Sequence, residues 1–285
     1  MTLIWGGLAL GAVYAMVAVG YNIVYIASRT FNFAHAQLMM MGAFIAYSSL
    51  VSWDLPWVLA LLLAGVVVGA IAAVEERLAI RPVRDTHNIL VTTLGAATIM
   101  DGAAQLIWGS QPLRVPFVAG EDAISLLGGR VRPVELTLIG VAILLVLVLV
   151  LISRRSLIGL ALLGMAEDRE AAQLRGVNVR ATAFGAFVVA GVLAGLLGVF
   201  VGPKTFAVAT LGAALALKGF VALAIGGFGS MPGTLVGGLL VGLAEAYAAR
   251  YLGGEYANLT VFAILIAVLL IRPAGLFVRA KERVV

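Results

Sequence analysis

The sequence predicts an all-α fold, a polytopic transmembrane helical bundle of eight to ten spans with one or two short or broken helices. Three observations lead there. The 285 residues are 62% hydrophobic and only 12% charged, where a soluble domain carries about 25% charge. Long Leu/Val/Ala runs recur, and ten-residue alternating segments of the kind that build a membrane barrel are absent. The 34 glycines suit helices that pack closely in lipid. The chain reads as a single transmembrane domain over residues 1–285, with little mass outside the bilayer.

Nine apolar runs are candidate spans. The first covers Leu3 to Ile26. The second follows Asn32-Phe33-Ala34-His35, runs to Val51, and is short. A polar break, Ser52 to Pro56, precedes the third, Trp57 to Val74. Glu75-Glu76-Arg77 and Arg81 to Asp85 then form a basic loop broken by Pro82. The fourth span covers Ile89 to Trp108, and Gly109 to Pro133 is a polar stretch with no strong span. The fifth is the Leu/Val run from Val134 to Ile152. After Ser153–Arg180 comes the sixth, Ala181 to Val201. The seventh, Ala213 to Ile225, is short for a crossing and ends in Gly226-Gly227-Phe228-Gly229. Thr234 to Tyr251 and Ala257 to Ile271 are the eighth and ninth.

The basic residues give the crossings a direction, because Lys and Arg accumulate on the cytoplasmic side. With the loop after the third span and Ser153–Arg180 inside, the N-terminus falls outside and the C-terminus, with Arg272, Arg279, Lys281 and Arg283, falls inside. That places thirteen basic residues inside against five outside (Arg114, Arg130, Arg132, Lys204, Arg250). The net charge of +5 is explained by this excess and does not call for nucleic acid. Met1 to Tyr25 lacks a basic n-region and a small-residue cleavage site, so no cleavable signal is expected. With no Cys, disulfide and thiol chemistry are excluded.

Ser153–Arg180 is the longest charge-bearing stretch between apolar ones. Good helix formers run from Leu160 to Leu174, acids stand toward the start of the polar part, and Arg175 lies near the end, an order that suits the helix dipole. Gly176 can close this helix in a left-handed turn. Ala171 and Ala172 leave one face bare for another protein, although a solvated connector with a stub of helix fits the residues as well.

No catalytic grouping is present: no HExxH, no GxSxG, no Walker motif, and only two His, His35 and His87. No metal site is expected. Gly226 to Gly229 lacks the Gly-Lys-Ser/Thr that completes a phosphate loop and reads as a break between spans. Ionisable residues at membrane depth tend to face a bundle interior or water. They are His35, Asp101, Lys218 and Glu245. His35 reads either as an interfacial helix cap or as a pore-lining group. Lys218 either snorkels or pairs with Glu245, and Asp101 bonds backbone or a neighbouring helix. Phe220, Phe228 and Met39-Met40-Met41 read as packing.

Five motifs in one order then resemble the LivH-type permeases of branched-chain amino acid ABC importers. They are Asn32-Phe33-Ala34-His35 with its Met/Gly-rich span, Glu76-Arg77 to Arg81-Pro82-Val83-Arg84, Ala166-Glu167-Asp168 to Gly176-Val177-Asn178, Lys218-Gly219-Phe220 to Pro232-Gly233, and Arg272-Pro273-Ala274-Gly275-Leu276-Phe277. Ala36 and Gln37 depart from the family's pattern, which has Gly and commonly an acid there. The resemblance implies a permease subunit of an ATP-driven importer in a bacterial cytoplasmic (inner) membrane. Its solutes would be branched-chain amino acids or the related urea, amides and small carboxylates. It implies as partners a homologous LivM-type permease, two ABC ATPases, a periplasmic or lipid-anchored solute-binding protein and membrane lipids. ATP and Mg would be bound by the ATPases, with no cofactor in this chain. Ala166 to Gly176 would be the coupling helix, with Glu167, Asp168, Glu170, Ala171, Ala172 and Gly176 meeting an ATPase and the motion passed to the fifth and sixth spans. Asn32, His35, Gln37, Lys218 and Glu245 would line the translocation path. The other reading is a stand-alone ion-coupled transporter using Asp101, Lys218 or Glu245 as a relay.

Overall fold

A computed structural model describes residues 1–83, 85–120 and 122–277, without the side chains of Thr86 and His87. Arg84, and the terminal Arg279, Lys281 and Arg283 used in the charge count, lie outside the described residues, as does the His87 side chain.

Eleven α-helices account for nearly all the regular structure of the described residues: α1 (Thr2–Ser28), α2 (His35–Tyr47), α3 (Trp57–Glu75), α4 (Thr86–Trp108), α5 (Pro133–Arg155), α6 (Leu157–Glu167), α7 (Arg169–Leu174), α8 (Val179–Thr205), α9 (Leu211–Gly226), α10 (Met231–Tyr251) and α11 (Gly254–Ile271). Seven are long and apolar enough to cross a membrane: α1, α3, α4, α5, α8, α10 and α11. The chain is a multi-pass membrane protein of helical class. The two runs read as short are the two short helices. α2 has 13 residues and runs on as a π-helical turn, Ser48–Ser52, and α9 has 16.

Four local features differ from the sequence reading. First, α3 does not stop at Val74. It continues through Glu75 and a π-helical turn, Glu76–Ile80, so Glu75 and Glu76 are buried and not part of a solvated loop. Second, the polar stretch before α5 contains an antiparallel hairpin, β1 (Ile124–Leu126) with β2 (Gly129–Val131). Leu127 and Gly128 both have positive φ, the turn geometry that matches strand twist. Third, the helix expected over Leu160–Leu174 is two helices. The Asp168 carboxylate accepts from the N–H groups of Glu170 and Ala171 at 2.9 and 3.0 Å. An N-cap of this kind starts a new helix and ends the preceding one. Gly176 closes α7 at φ +87°, and Val177 N–H reaches back to the Ala172 carbonyl at 3.1 Å, as the left-handed closure requires. Fourth, Ala172 is 7% exposed. Of the two alanines only Ala171 is bare.

α1 is the central post, buried from Ala9 to Val24 apart from Leu10. Its packing rests on absent side chains. A Cβ on Gly11 would meet the Gly238 carbonyl oxygen at 2.7 Å, and one on Gly238 would meet Ala15 Cα at 2.6 Å. Gly242 presses on Gly11 in the same way. α8 uses the same device, with Gly195 against the Ala64 carbonyl of α3 and Gly198 against Met39 and Ala43 of α2. Met39, Met40 and Met41 are buried core, as expected. α5 and α11 lie at the edge and expose Leu147, Leu151, Ile266 and Leu270, consistent with lipid.

The loops sort onto two faces. On one, Arg130 N–H bonds Thr2 Oγ1 at 3.0 Å and Leu113 pairs with Ala207. The hairpin, the α1 start and the α8–α9 link therefore share a face. On the other, Arg169 bonds the Ser28 carbonyl at 3.1 Å, Arg29 bonds the Ala166 carbonyl, and Leu276 N–H bonds the Ile225 carbonyl at 2.9 Å. This is the partition that the alternating crossings demand.

The glycine contacts give a stability prediction. Gly195→Leu forces a side chain into the α3 backbone and is expected to lower stability by about 3 kcal/mol, the upper range for overpacking. Gly140→Leu, on a surface with nothing within 4 Å, is expected to change little. Thermal unfolding in detergent with a reporter of helix content checks both.

Candidate functional site

The site begins where the chain leaves α1. Arg29 adopts left-handed φ, 57°, and residues 29–34 run non-helically before α2. Asn32 Oδ1 accepts from Ala34 N–H at 2.9 Å, and Thr93 Oγ1 of α4 accepts from Phe33 N–H at 3.4 Å. Asn32 therefore supports the α2 start, which sets aside the reading of His35 as an interfacial cap. Asn32 and His35 are each 1% exposed. A Cβ on Gly20 would occupy the place of the imidazole, so the ring lies against bare α1 backbone.

Three of the five residues expected in the translocation path, Asn32, His35 and Gln37, are thus buried around the start of α2, with His35 against Gly20 and Gln37 against Gly212. The Asn32 carboxamide lies alongside the Glu75 carboxyl, and the Gln37 carboxamide lies alongside Asp101 of α4. Hydrogen bonding is incomplete throughout. Asn32 Nδ2, His35 Nδ1, Gln37 Oε1, one Asp101 oxygen and both Glu75 oxygens are buried with no partner of acceptable geometry. Such atoms are uncommon, because an unsatisfied buried polar group costs roughly 1–3 kcal/mol. Aromatic rings border the Asn32 segment. Tyr21 and Phe31 are 4.6 Å apart, Phe31 and Phe33 4.7 Å, and Phe31 and Phe220 5.2 Å, while Phe220 meets Phe228 at 6.3 Å. Phe220 and Phe228 are packing residues, as read, but the packing joins the Asn32 segment to the glycine break after α9. That break is bonded in turn to α1, since Asn22 accepts from Gly229 N–H at 2.8 Å and donates to Thr234 at 3.0 Å.

The other two expected path residues are elsewhere. Lys218 of α9 donates to Glu245 of α10 at 2.5 Å, so it does not snorkel. Tyr14 of α1 completes the arrangement, donating to Glu245 at 2.8 Å and accepting from Lys218 at 3.3 Å. Tyr14 stands two turns along α1 from Tyr21, about 10 Å away, so the ion pair is a separate site. Glu75 and Tyr14 escaped the sequence reading. Glu75 looked like one of a pair of loop acids, and a span tyrosine carries no distinguishing pattern.

The third element is the loop joining α5 to α8. Glu167, Asp168, Glu170 and Ala171 are exposed on it, and Leu174 is 90% exposed. The loop is held to the bundle by the Arg29–Ala166 and Arg169–Ser28 hydrogen bonds, both at the end of α1.

A bundle of membrane helices with a broken polar segment inside and an exposed charged loop at one end suits a membrane transport component. The chain belongs to the family described as branched-chain amino acid transport system / permease component, which it matches over residues 3–269. It is 31% identical to the high-affinity branched-chain amino acid transport system permease protein LivH of Escherichia coli K12, over 97% of this chain and 95% of that one. It is 33% identical to the corresponding BraD of Pseudomonas aeruginosa, over 96% and 94%. Among solved structures, PsaBC from Streptococcus pneumoniae in complex with Fab covers 96% of this chain and 93% of its own with a TM-score of 0.53. At 12% identity that likeness concerns fold alone. The chain is a permease subunit of an ABC import system, and nothing in these relationships supports a stand-alone ion-coupled carrier.

The ion pair yields a prediction. Removing one member of a largely buried pair strands the other charge and typically costs about 3–5 kcal/mol. Lys218→Met is expected to destabilise by about 3 kcal/mol, at the lower end of that range. Lys218→Met with Glu245→Met is expected to recover most of that loss in a double-mutant comparison of melting curves.

Proposed function

We propose that this chain is the membrane-spanning permease of an ATP-driven importer for branched-chain amino acids or related small solutes. It works beside a homologous LivM-type permease, with two ABC ATPases on the cytoplasmic side and an extracytoplasmic solute-binding protein. ATP and Mg belong to the ATPases. The chain sits in a bacterial inner membrane as a single permease domain, with the α1 start outside and the C-terminus in the cytoplasm. The family relationship supports the transport class, and the basic residues of the α5–α8 loop support the orientation.

One observation carries the mechanism. The exposed α6–α7 break is hydrogen-bonded to the end of α1, where the helix gives way to the Asn32 segment. An ATPase that binds Glu167, Asp168, Glu170 and Ala171 and moves on closing would pull on Ser28 and Arg29. It would thereby shift the ring-lined segment that borders the buried polar residues. This route runs through α1 rather than through α5 and α8 alone. Ala172 and Gly176 serve the shape of α7, one by packing and one by its left-handed turn. Asn32, His35 and Gln37 line the path, and the Lys218–Glu245 pair holds α9 to α10 beside it.

The test is Ala171→Arg in the reconstituted complex. The substitution is on an exposed position, so the permease is expected to fold and insert normally. ATP-driven leucine uptake is expected to fall by an order of magnitude or more, with ATPase subunits lost on purification or hydrolysis uncoupled from transport. Uptake equal to that of the unaltered complex would remove this segment from the coupling surface.

A further inference from the structure

Glu75 takes part in neither the coupling route nor the Lys218–Glu245 pair. It stands at the end of α3 nearest the coupling face and is 6% exposed, with both carboxyl oxygens unpartnered. No described cation pairs with it: the salt bridges among the described residues are Lys204–Glu135 and Lys218–Glu245. Beside it, within hydrogen-bonding reach, is the Asn32 carboxamide, whose Oδ1 is occupied by Ala34 N–H and whose Nδ2 makes no hydrogen bond of acceptable geometry. The next turn brings His35, with Nδ1 also free. The cluster thus offers a carboxyl acceptor next to neutral donors, and through His35 on Tyr21 and Tyr21 on Phe31 it adjoins the set of apolar rings formed by Phe31, Phe33 and Phe220. A buried carboxylate requires a cation or a set of donors, and among the described residues this one has no cation and no hydrogen bond of acceptable geometry.

We propose that Glu75 and Asn32 bind the head group of an α-amino acid in transit, the ammonium on the Glu75 carboxylate and the carboxylate on Asn32 Nδ2, with the aliphatic side chain against the phenylalanine rings. The match is of charge order and polarity. The ammonium and carboxylate of an α-amino acid are carried on one carbon, so they need an acceptor and a donor side by side, and an apolar wall must begin next to them. The inference rests on the importer reading above and names the residues that would make the path selective for a zwitterion.

The experiment uses the purified permease–ATPase complex, nucleotide-free and without binding protein, with retention of tritiated leucine measured by scintillation proximity. Unlabelled 3-methylbutylamine and 4-methylpentanoate, which are leucine without its carboxylate and without its amine, serve as competitors. The wild-type complex is expected to retain leucine and to release it to the amine more readily than to the acid. Glu75→Gln keeps the shape and removes the charge. It is expected to weaken retention by an order of magnitude or more and to abolish competition by the amine. Glu75→Asp, which keeps the charge on a shorter arm, is expected to retain more leucine than Glu75→Gln. Asn32→Asp keeps the oxygen that supports Ala34 and removes the donor, and is expected to weaken retention as well. Recovery of each variant as an intact permease–ATPase complex, with the wild-type elution volume and melting temperature in detergent, shows that it is folded. Wild-type complex that retains no leucine, or Glu75→Gln complex that retains it normally, overturns the proposal. ATP-driven uptake by the wild-type complex with its binding protein, measured in parallel, decides separately whether the importer reading stands.

Discussion

The fold depends on backbone-to-backbone approach between helices. In lipid, apolar side chains gain little by leaving one apolar surface for another, so helices are held by close dispersion contact and a few polar bonds. Here α1 touches α10 through Gly11, Gly238 and Gly242, and α8 touches α3 and α2 through Gly195 and Gly198. Each contact brings carbonyls and α-carbons to distances that any Cβ would forbid. Asn22 adds the polar element, reaching Thr234 and the loop at Gly229 from α1. The peripheral helices α5 and α11 lack this kind of seat at Gly140, Gly253 and Gly254, and their Leu and Ile side chains face outward.

This arrangement fixes where polar residues can be tolerated. With α1 packed tightly over most of its length, the non-helical turn at 29–34 and the glycine break at 226–230 come together on one face, bridged by Phe31, Phe220 and Phe228. The buried Asn32 amide follows directly on Phe31 in this turn, with the Glu75 carboxyl beside it. The Lys218–Glu245 pair is two turns further along α1, joined by the Tyr14 hydroxyl. The two polar sites therefore answer different needs. One has its hydrogen bonds complete and ties three helices together, and the other has them incomplete and lies beside a break in the chain.

The spans were legible because an apolar run long enough to cross a bilayer is too costly to leave in water, and all nine correspond to helices within a few residues. Three things were not legible, each for a physical reason. Glu75 and Glu76 end an apolar run, which is also what a solvated loop start looks like, and only tertiary contact decides between the two. The Asp168 break was hidden because Leu160 to Leu174 consists largely of good helix formers. A single carboxylate turned onto two N–H groups outweighed that propensity. The hairpin at Ile124–Val131 is too short for a periodic signal. Asn32, His35 and Gln37 were singled out by their position after the first span, and the structure shows that they are buried, not what they bind; the partnership of Lys218 with Glu245 was open until the distance was known. Ala171 and Ala172 looked alike in sequence, and only the rotation of α7 separates the exposed one from the buried one.

The place of His35 against Gly20 has a consequence for how this permease can vary. The imidazole fills the volume that a side chain on residue 20 would take, so the two positions share one steric allotment. Any enlargement at 20 must be met by a smaller group at 35, and the reverse change opens a void beside the non-helical segment. The two positions are separated by the whole turn that leaves α1 and enters α2, yet they form a single unit of substitution. A lineage that enlarged residue 35 would have had to keep the bare backbone at 20.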